Sequence, residues 1–505
     1  MFFQRFYDTQ LAQASYLIGC QRTGEAVVVD PTRDLQPYLD AAAKEGLRIT
    51  HVTETHIHAD FVSGARELAR RTGAELLLSD EGDASWKYTF APDAGARLLK
   101  DGDRVMVGNV RLDVLHTPGH TPEHLSFLVT DTPAGVPPGS AGPWGILTGD
   151  FVFVGDVGRP DLLETAAGQV GTMEAGARTL FRSLARFRAL PDHVQVWPGH
   201  GAGSACGKAL GAVPSSTVGY ERRANWGVAA TDEEAFVRTV LAGQPEPPRY
   251  FAEMKRINKE GPRLLGALPH PARLPAPALD ARLRDGAVVV DTRPAAAYAA
   301  GHVPGTLNLP LDGGFTTWAG WLLPYDRDLY LLIDDGAGAD GADGAGADGA
   351  ARAARDLAMI GFDQVAGWFG PDALAAWTAA GRPLGTVAQT TPREAAALLD
   401  RGEAAVVDVR GRAEWEAGHL PGVPNIPVGQ LAGRLAELPA DRPVIVHCQS
   451  GARSAIAASV LQAHGVPDVV NLAGGYAAWQ RAGLPVTRED ADPAPPAESA
   501  LAVAS

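Results

Sequence analysis

The sequence predicts an α/β protein with three domains in one chain. At roughly 100–200 residues per domain, its 505 residues correspond to about three domains. Short apolar runs typical of strands alternate with helical patterns, and the second half contains a repeated segment. We therefore expect domains at residues 1–250, 275–385 and 390–488, followed by a disordered Ala/Pro-rich tail at 489–505.

Composition restricts the classes of function. The formal net charge is -15 and no block of Lys and Arg occurs, which argues against nucleic-acid binding. No apolar run approaches the roughly 20 residues of a membrane-spanning helix, and the first residues lack a signal-peptide pattern. The sequence has only three cysteines, too few for a disulfide framework, so we expect a reducing, cytoplasmic location.

The first block predicts a metal site, because strand-like segments end in short motifs rich in histidine and aspartate. These motifs are HIHADF (residues 56–61), HTPGH (116–120), TGD (148–150) and WPGHG (197–201). Loops that follow strands converge at one end of a sheet, where α/β proteins bind ligands. Imidazole and carboxylate together suit Fe, Zn or Mn. We also expect strands over 48–55 and 105–115 and a helix over 62–71.

The order and spacing of these motifs resemble the metallo-β-lactamase fold family across the whole first block. The resemblance implies an αββα sandwich that binds metal. The first motif of the family is H-x-H-x-D-H, whereas this chain has Phe61 at the last position. In binuclear hydrolases of the family that histidine binds the second metal ion, so the departure favours a single metal here.

A narrower resemblance links residues 56–64 (HIHADFVSG) and 155–161 (GDVGRPD) to the persulfide dioxygenase branch of that family. Members of the branch hold one Fe(II) with two histidines and one aspartate, which correspond here to His56, His120 and Asp150. The resemblance thus implies one Fe(2+) per chain, with Zn2+ as the alternative metal. Such a ligand set leaves positions open for O2 and a substrate sulfur.

Several other residues of the first block have two interpretations each. His58, Asp60 and His200 either orient the ligands or serve as alternative ligands. Arg159 either binds an anionic group of the substrate or is an ordinary surface arginine. Residues 220–223 (YERR) either line a substrate channel or form a helix surface. We expect both Cys20 and Cys206 to be buried, unreactive thiols.

The third block predicts a nucleophilic cysteine, Cys448. A strand-like segment at 443–447 leads into CQSGARS at 448–454, and a helix pattern follows from residue 455. Such a loop points its backbone N–H groups inward, and the helix N-terminus and Arg453 add positive charge that stabilises a thiolate or a persulfide anion. In this interpretation, four loop residues bind the substrate: Gln449, Ser450, Gly451 and Ala452.

This loop resembles the active loop of rhodanese sulfurtransferases, and the resemblance spans about residues 390–488. The six residues from Cys448 to Arg453 form a shorter loop than the seven-residue loop of related phosphatases, which suits sulfur transfer. The middle block repeats the rhodanese outline but has Asp334 and Asp335 where the other copy has its cysteine. We therefore expect an inactive copy, with a mobile low-complexity surface loop over 334–350.

The combined prediction is an enzyme of sulfur metabolism. Iron-dependent oxidation of a low-molecular-weight thiol persulfide by O2 would give sulfite, and Cys448 would transfer sulfane sulfur to form or use thiosulfate. One alternative is a zinc thioester hydrolase of the glyoxalase II kind fused to a sulfurtransferase, and another is a non-catalytic sulfur carrier or redox sensor. The thiol carrier stays open among glutathione, coenzyme A, bacillithiol and mycothiol, as does the oligomeric state, a homo-oligomer included.

Overall fold

The structure is a computed structural model that describes residues 1–132, 142–165, 171–208, 210–244, 246–334 and 344–488. The chain divides into two compact units. The first consists of Met1–Thr292 with Leu309–Ala376, and the second of Arg293–Asn308 with Trp377–Ser505. The tail predicted at 489–505 lies outside the described residues.

The first sheet of the N-terminal domain has six strands. In their order across the sheet they are β1 (Phe2–Asp8), β2 (Gln13–Cys20), β3 (Glu25–Val29), β4 (Arg48–Thr53), β5 (Glu75–Ser79) and β6 (Arg97–Leu99). Strands β1 to β3 pair antiparallel, and β3 to β6 pair parallel. The runs of Val in β3 and Leu in β5 are continuous rather than alternating, as expected for strands buried on both faces.

The second sheet also has six strands. They are β7 (Arg104–Val107), β8 (Val110–His116), β9 (Leu125–Asp131), β10 (Gly145–Gly149), β11 (Gln195–Pro198) and β12 (Ser216–Thr217). Pairs are antiparallel except for β10 with β11, which run parallel. The parallel pair places the ends of β10 and β11 at the same edge of the sheet, so the TGD and WPGHG motifs meet there.

Helices cover the outer faces of the two sheets. They are α1 (Gln36–Lys44), α2 (Ala65–Thr72), α3 (Leu162–Thr165), α4 (Met173–Arg188), α5 (Val218–Ala224), α6 (Trp226–Ala229), α7 (Glu233–Leu241) and α8 (Phe251–Glu260). Tyr16 and Phe127, from opposite sheets, belong to one apolar core between the sheets. Leu68 of α2 packs with the first sheet and Leu184 of α4 with the second. The layers are therefore helix, sheet, sheet and helix.

The first copy of the repeat contains helices α9 (Ala278–Arg284), α10 (Ala295–Ala300), α11 (Phe315–Leu322), α12 (Gly344–Met359) and α13 (Asp372–Ala379). Its strands are β13 (Val288–Asp291), β14 (Leu307–Asn308), β15 (Leu329–Leu332) and β16 (Val365–Phe369). In the first compact unit, β13, β15 and β16 pair in parallel. Parallel strands need helical crossovers, which explains the alternation of strands and helices in this part of the sequence.

The second copy forms a parallel four-stranded sheet in the second compact unit. Across the sheet the strands are β17 (Ala388–Thr390), β20 (Val469–Leu472), β19 (Val444–His447) and β18 (Ala405–Asp408). The helices are α14 (Pro392–Asp400), α15 (Arg412–Glu416), α16 (Ala452–Ala463) and α17 (Gly475–Arg481). Strand β19 is buried along its whole length, which is the usual environment of a central parallel strand.

Three local predictions were wrong. The strand expected over 105–115 is a hairpin, because Gly108 has a φ of 58° and turns the chain between β7 and β8. Residues 344–350, expected to belong to a mobile loop, begin helix α12, because alanine favours helix and Ala350 is buried. Residues 335–343 of the expected loop lie outside the described part of the chain. Helix α2 begins at Ala65 instead of residue 62.

The first repeat copy packs against the N-terminal domain within the first compact unit. The side chain of Arg33 is 2% exposed, pairs with Asp363, and donates a hydrogen bond to the carbonyl oxygen of Ala358 (3.1 Å). Arg355 of α12 forms an ion pair with Asp8 of β1 (2.6 Å). These contacts fix the end of α12 beside the loop that follows the HIHADF motif.

No helix among the described residues combines the length and the apolar character needed to cross a membrane.

We expect the substitution Asp363→Asn to destabilise the first compact unit. It leaves the buried Arg33 guanidinium without its counterion, and breaking a buried pair in this way costs about 3 kcal/mol. Thermal unfolding followed by calorimetry measures the effect. Asp441→Asn is the matched control, because Asp441 pairs with Arg442 at the surface. Equal shifts for the two variants would contradict the prediction.

Candidate functional site

Three buried side chains meet at the ends of strands β4, β8 and β10. His56 follows β4, His120 lies in the loop after β8, and Asp150 directly follows β10. Asp150 Oδ2 lies 3.5 Å from His120 Nε2 and 3.9 Å from His56 Nε2. One ligand atom from each side chain lies within 4.8 Å of the others. The fold thus brings together the three residues predicted as metal ligands; their binding of a metal stays a prediction.

Both histidines of this group present the lone pair of a neutral ring. His120 Nδ1 donates a hydrogen bond to the carbonyl oxygen of Arg159 (3.1 Å), which leaves Nε2 free to coordinate. His56 Nδ1 lies 2.9 Å from the hydroxyl of Thr55. Burial lowers the pKa of both rings, and neighbouring imidazoles lower the pKa of His56 further. Metal binding requires this neutral form.

The carboxylate of Asp150 is buried, and neither oxygen has a hydrogen-bond partner among the residues that the structure describes. Burying an ionised carboxylate without compensation is costly, so this position calls for a cation. Two neutral imidazoles and an otherwise unbonded carboxylate fit a divalent ion of the iron or zinc type.

His58 turns away from this group and pairs with Asp30. Its Nε2 lies 3.0 Å from Asp30 Oδ1. Burial alone would lower the pKa of His58, but the carboxylate of Asp30 raises it to about 9. The bond to Asp30 occupies Nε2 of His58, whereas its buried Nδ1 has no hydrogen-bond partner among the described residues. This arrangement agrees with an orienting role for His58, which stays a prediction.

A second group of buried potential ligands consists of Asp60, His200 and Cys206. His200 Nε2 lies 3.2 Å from Asp60 Oδ2 and 3.5 Å from Asp150 Oδ1, so the two groups adjoin. Burial raises the pKa of Cys206 well above its usual value, which keeps it a thiol. Sequence analysis treated Cys206 as an isolated thiol and missed its place beside Asp60. The other thiol predicted to be unreactive, Cys20, is also free and buried.

The side chain of Asn258 holds the loop after His58 in place. Its Nδ2 donates to the carbonyl oxygens of His58 (2.8 Å) and Phe61 (2.7 Å), and its Oδ1 accepts from the N–H of Ser63 (2.9 Å). The N–H of Val62 donates to the carbonyl oxygen of Met359 (2.7 Å), at the end of α12. These bonds hold residues 58–63 as a loop, and helix α2 begins after them, at Ala65.

Asp30 and His124 also support the group, and sequence analysis missed both. Asp30 accepts hydrogen bonds from the N–H (2.7 Å) and hydroxyl (3.0 Å) of Thr55, next to His56. The His124 ring stacks on that of His56 at a centroid distance of 5.0 Å, and its Nε2 accepts from the N–H of Asp150 (3.1 Å). The spacing of His124, four residues after His120, was the one available signal.

Arg159 lies in the interior instead of at the surface. Its guanidinium bonds both carboxylate oxygens of Asp161 at 2.9 and 2.5 Å, and Nη1 donates to the carbonyl oxygen of Ala205 (2.8 Å). Its backbone carbonyl orients His120. Binding of a substrate anion by Arg159 stays a prediction. Residues 220–223 lie in helix α5, where Tyr220 is exposed and Glu221 is buried.

Cys448 lies between β19 and α16, as predicted, and is 1% exposed. Its sulfur accepts hydrogen bonds from the N–H of Gly451 (3.1 Å) and the hydroxyl of Ser454 (3.5 Å). Gly451 has a φ of 106°, which permits the sharp turn that aims its N–H at the sulfur. A Cβ on Gly475 would lie 2.3 Å from the Cys448 carbonyl oxygen, so only glycine fits there.

The other predicted loop residues surround this turn. Gln449 and Ser450 are exposed, and Ala452 is the first residue of α16. Gln449 Oε1 accepts a hydrogen bond from Arg410 (3.3 Å). The loop is therefore open to solvent at residues 449–450, whereas the Cys448 side chain is buried. Substrate binding by these residues stays a prediction.

The arginines near the loop are already paired. Arg453 forms a bidentate bond with Glu414 at 2.6 and 2.7 Å, and these hydrogen bonds raise the pKa of Arg453. The buried Arg410 pairs with Asp408 (2.7 Å). The positive charge expected from Arg453 is thus shared with a carboxylate, and the N–H of Gly451 and the hydroxyl of Ser454 make the direct contacts with the sulfur.

Sequence comparison matches two families. The metallo-beta-lactamase superfamily profile matches residues 8–200, and the rhodanese-like domain profile matches 276–365 and 391–482. The predicted order of one metallo-β-lactamase fold followed by two rhodanese-like domains is thereby confirmed. The helix between the matched segments that carries Asn258 belongs to none of them.

Several known proteins are similar to this chain. A crystal structure of a metallo-beta-lactamase from Staphylococcus aureus subsp. aureus COL is 43% identical, with a TM-score of 0.63, and the match covers 73% of this chain and 99% of that one. The hydroxyacylglutathione hydrolase of Rhodospirillum rubrum is 33% identical over 190 residues, or 37% of this chain and 60% of its own length. The enzyme of that name from Rhodopseudomonas palustris strain BisA53 is 30% identical over 244 residues, or 48% of this chain and 80% of its own length.

We expect the substitution Asn258→Leu to weaken metal binding. Leucine fills the same space but cannot donate to the carbonyl oxygens of His58 and Phe61, so the loop after His56 loses its anchor. Loss of such supporting contacts typically weakens metal affinity by about 10–100-fold. Competition with a chelator of known affinity measures the change.

Asn425→Leu is the matched control for this variant. Asn425 also donates to two carbonyl oxygens, those of Asp408 and Arg410, but in the second compact unit. It should keep the wild-type metal affinity. An Asn258→Leu protein that binds metal as tightly as the control would contradict the anchoring role.

Proposed function

The chain belongs to the metallo-β-lactamase superfamily and carries two rhodanese-like domains, and we propose that it is an iron-dependent persulfide dioxygenase joined to a sulfurtransferase. One observation carries the first activity: the buried group of two imidazoles and a carboxylate formed by His56, His120 and Asp150. Phe61 occupies the position of the missing histidine, and His58 is held by Asp30. These features favour one metal ion over the paired ions of a hydrolase.

His56, His120 and Asp150 would hold a ferrous ion, which would supply the binding of dioxygen and of a substrate sulfur. Contacts with neighbouring residues hold these three ligands in position. The Arg159 carbonyl fixes the ring of His120, Thr55 contacts the ring of His56, and His124 accepts from the backbone of Asp150. Burial of all three ligands keeps bulk water away from the reacting sulfur.

The proposed first reaction converts a persulfide RSSH, dioxygen and water into the thiol RSH, sulfite and two protons. Both atoms of dioxygen and the oxygen of water enter sulfite. The sulfane sulfur gives up four electrons, which reduce dioxygen, and the S–S bond to the carrier breaks. The carrier leaves as its thiol.

The proposed second reaction takes place at Cys448. A persulfide RSSH passes its outer sulfur to the Cys448 thiol, which gives RSH and a Cys448 persulfide. Sulfite then attacks the outer sulfur, thiosulfate leaves, and the Cys448 thiol is restored. The N–H of Gly451 and the hydroxyl of Ser454 stabilise the negative charge on the departing Cys448 sulfur. The reverse direction would charge Cys448 from thiosulfate.

A zinc thioester hydrolase is the second candidate for the N-terminal domain. Two relatives are named hydroxyacylglutathione hydrolase, and the group of Asp60, His200 and Cys206 adjoins Asp150. A second ion held there would favour a metal-bound water attacking a thioester carbonyl. A third candidate, a sulfur carrier or redox sensor without turnover, is less favoured because the three-residue group is complete.

Metal analysis and oxygen uptake test the first activity. After anaerobic purification we expect about one iron per chain and oxygen consumption that depends on added glutathione persulfide. The substitution Asp150→Ala should remove both the iron and the oxygen uptake, because it deletes the carboxylate ligand. Paired zinc ions with cleavage of a hydroxyacylglutathione thioester, and no use of dioxygen, would favour the hydrolase instead.

The substitution Cys448→Ser separates the two activities. It should abolish sulfur transfer from thiosulfate to cyanide, since a serine oxygen carries no persulfide, while persulfide-dependent oxygen uptake continues. Cys20→Ser is the control, because Cys20 is a buried thiol in the first sheet and should retain both activities. Retained sulfur transfer in the Cys448→Ser protein would exclude Cys448 as the nucleophile.

A further inference from the structure

A cavity of about 590 Å³ adjoins the Cys448 loop within the second compact unit. Ser450 and Gly451 of the loop and Ala455 of α16 form one side of it. This side is linked to the nucleophile through Gly451, whose N–H donates to the Cys448 sulfur at 3.1 Å. A volume of this size is typical of sites that hold a small organic molecule.

Helix α10, which belongs to the repeat copy that lacks a cysteine, lines another side of the cavity. It contributes four alanines and Tyr298. The helix is fixed: the Tyr298 hydroxyl donates to the carbonyl oxygen of Thr306 (2.8 Å), and the Tyr298 ring stacks on His302. The N–H of Val387 also donates to the carbonyl oxygen of Ala299 (3.0 Å). This copy therefore lacks a nucleophile of its own but helps to build the surroundings of Cys448.

The lining that the structure describes contains no charged side chain. Its polar members include Gln389 and Asn471, and Asn471 Nδ2 donates to Gln389 Oε1 (2.9 Å). Asn471 is 6% exposed, and its Oδ1 has no hydrogen-bond partner within the described ranges. The nearby cations Arg410 and Arg453 are already paired with carboxylates. A charged ligand body would lose its water here without gaining a counterion, which is unfavourable.

We propose that this cavity holds the uncharged body of the thiol that exchanges sulfane sulfur with Cys448, an inference that rests on the proposed sulfurtransfer. A chain of neutral amides such as the pantetheine arm of coenzyme A fits the apolar walls and offers N–H donors. In the exchange, the thiol sulfur attacks the outer sulfur of the Cys448 persulfide. The old S–S bond breaks as the new one forms, the thiol proton ends on Cys448, and no net oxidation occurs.

The substitution Ala296→Trp tests the size of the cavity. Ala296 lines it yet is exposed, so a larger side chain enters the cavity without opening the core. With thiosulfate as donor, we expect the ratio of kcat/KM for pantetheine to that for cyanide to fall about tenfold, since cyanide needs no room for a body. Ala297→Trp, on the same helix but outside the lining, is the control and should keep the wild-type ratio.

A binding measurement tests the cavity without turnover. The thioether S-methylpantetheine cannot accept sulfur, and calorimetric titration should show saturable binding to the wild type and its loss in Ala296→Trp. In the wild type we also expect a higher kcat/KM for pantetheine than for glutathione, which carries two carboxylates. Comparison with coenzyme A shows how much of the molecule enters the cavity. If coenzyme A has the same kcat/KM as pantetheine, only its pantetheine arm is buried and its phosphates stay outside.

The outcomes separate this inference from the proposed function. If the wild type transfers sulfur to cyanide but Ala296→Trp leaves the acceptor ratio and S-methylpantetheine binding unchanged, the cavity assignment is wrong. A preference for glutathione over pantetheine would also overturn it. If the wild type transfers no sulfur to any acceptor, the proposed sulfurtransfer is wrong. The assignment of the cavity to an exchanging thiol is then wrong as well.

Discussion

The carboxylate of Asp30 is buried at the end of β3 and accepts hydrogen bonds from Thr55 and His58, on either side of His56. An ionised carboxylate in the interior needs hydrogen-bond donors, which Thr55 and His58 supply. In return, the Asp30 carboxylate holds both residues in place. The pairing decides which histidine of the HIHADF motif faces Asp150. It occupies Nε2 of His58 and raises the pKa of that ring, whereas burial and the neighbouring imidazoles lower the pKa of His56. The one-metal proposal depends on this division.

The arginines near the Cys448 loop are likewise compensated by carboxylates. Arg453 and Arg410 each carry a carboxylate partner, so little uncompensated charge surrounds the cysteine. The sulfur is contacted by two uncharged donors, the N–H of Gly451 and the hydroxyl of Ser454. Such uncharged donors stabilise a sulfur anion at this position without the long-range attraction that an unpaired cation would exert on other anions.

The two repeat copies show which parts of their shared motif are structural. In the first copy the ring of Tyr298 stacks on His302 at 3.8 Å, and in the second Trp415 stacks on His419 at the same distance. In both copies Nδ1 of the histidine bonds the backbone carbonyl of that aromatic residue. This histidine follows a glycine in both copies, at Gly301 and Gly418, and supports the fold in each, whereas the chemical difference lies at Cys448.

The sequence was sufficient to locate the groups that lie at strand ends, because parallel and adjacent strands bring their ends to one edge. His56, His120, Asp150 and Cys448 were found in this way. It could not predict which partner His58 chooses, because that depends on side-chain direction and on a carboxylate 28 residues away. Asn258 was also out of reach, since its partners lie about 200 residues earlier and no local pattern marks it.

The bond between the N–H of Val62 and the carbonyl oxygen of Met359 has a consequence for protein engineering. A transplanted N-terminal domain that keeps this bond must extend beyond residues 8–200, the segment that matches the superfamily. A graft that stops there would leave out Asn258 and the end of α12, and the transplanted loop would lose its external braces. Recombination between homologues should therefore succeed more often with crossover points beyond Ala376, where the first compact unit ends, than between residues 200 and 276, which separate the matched segments.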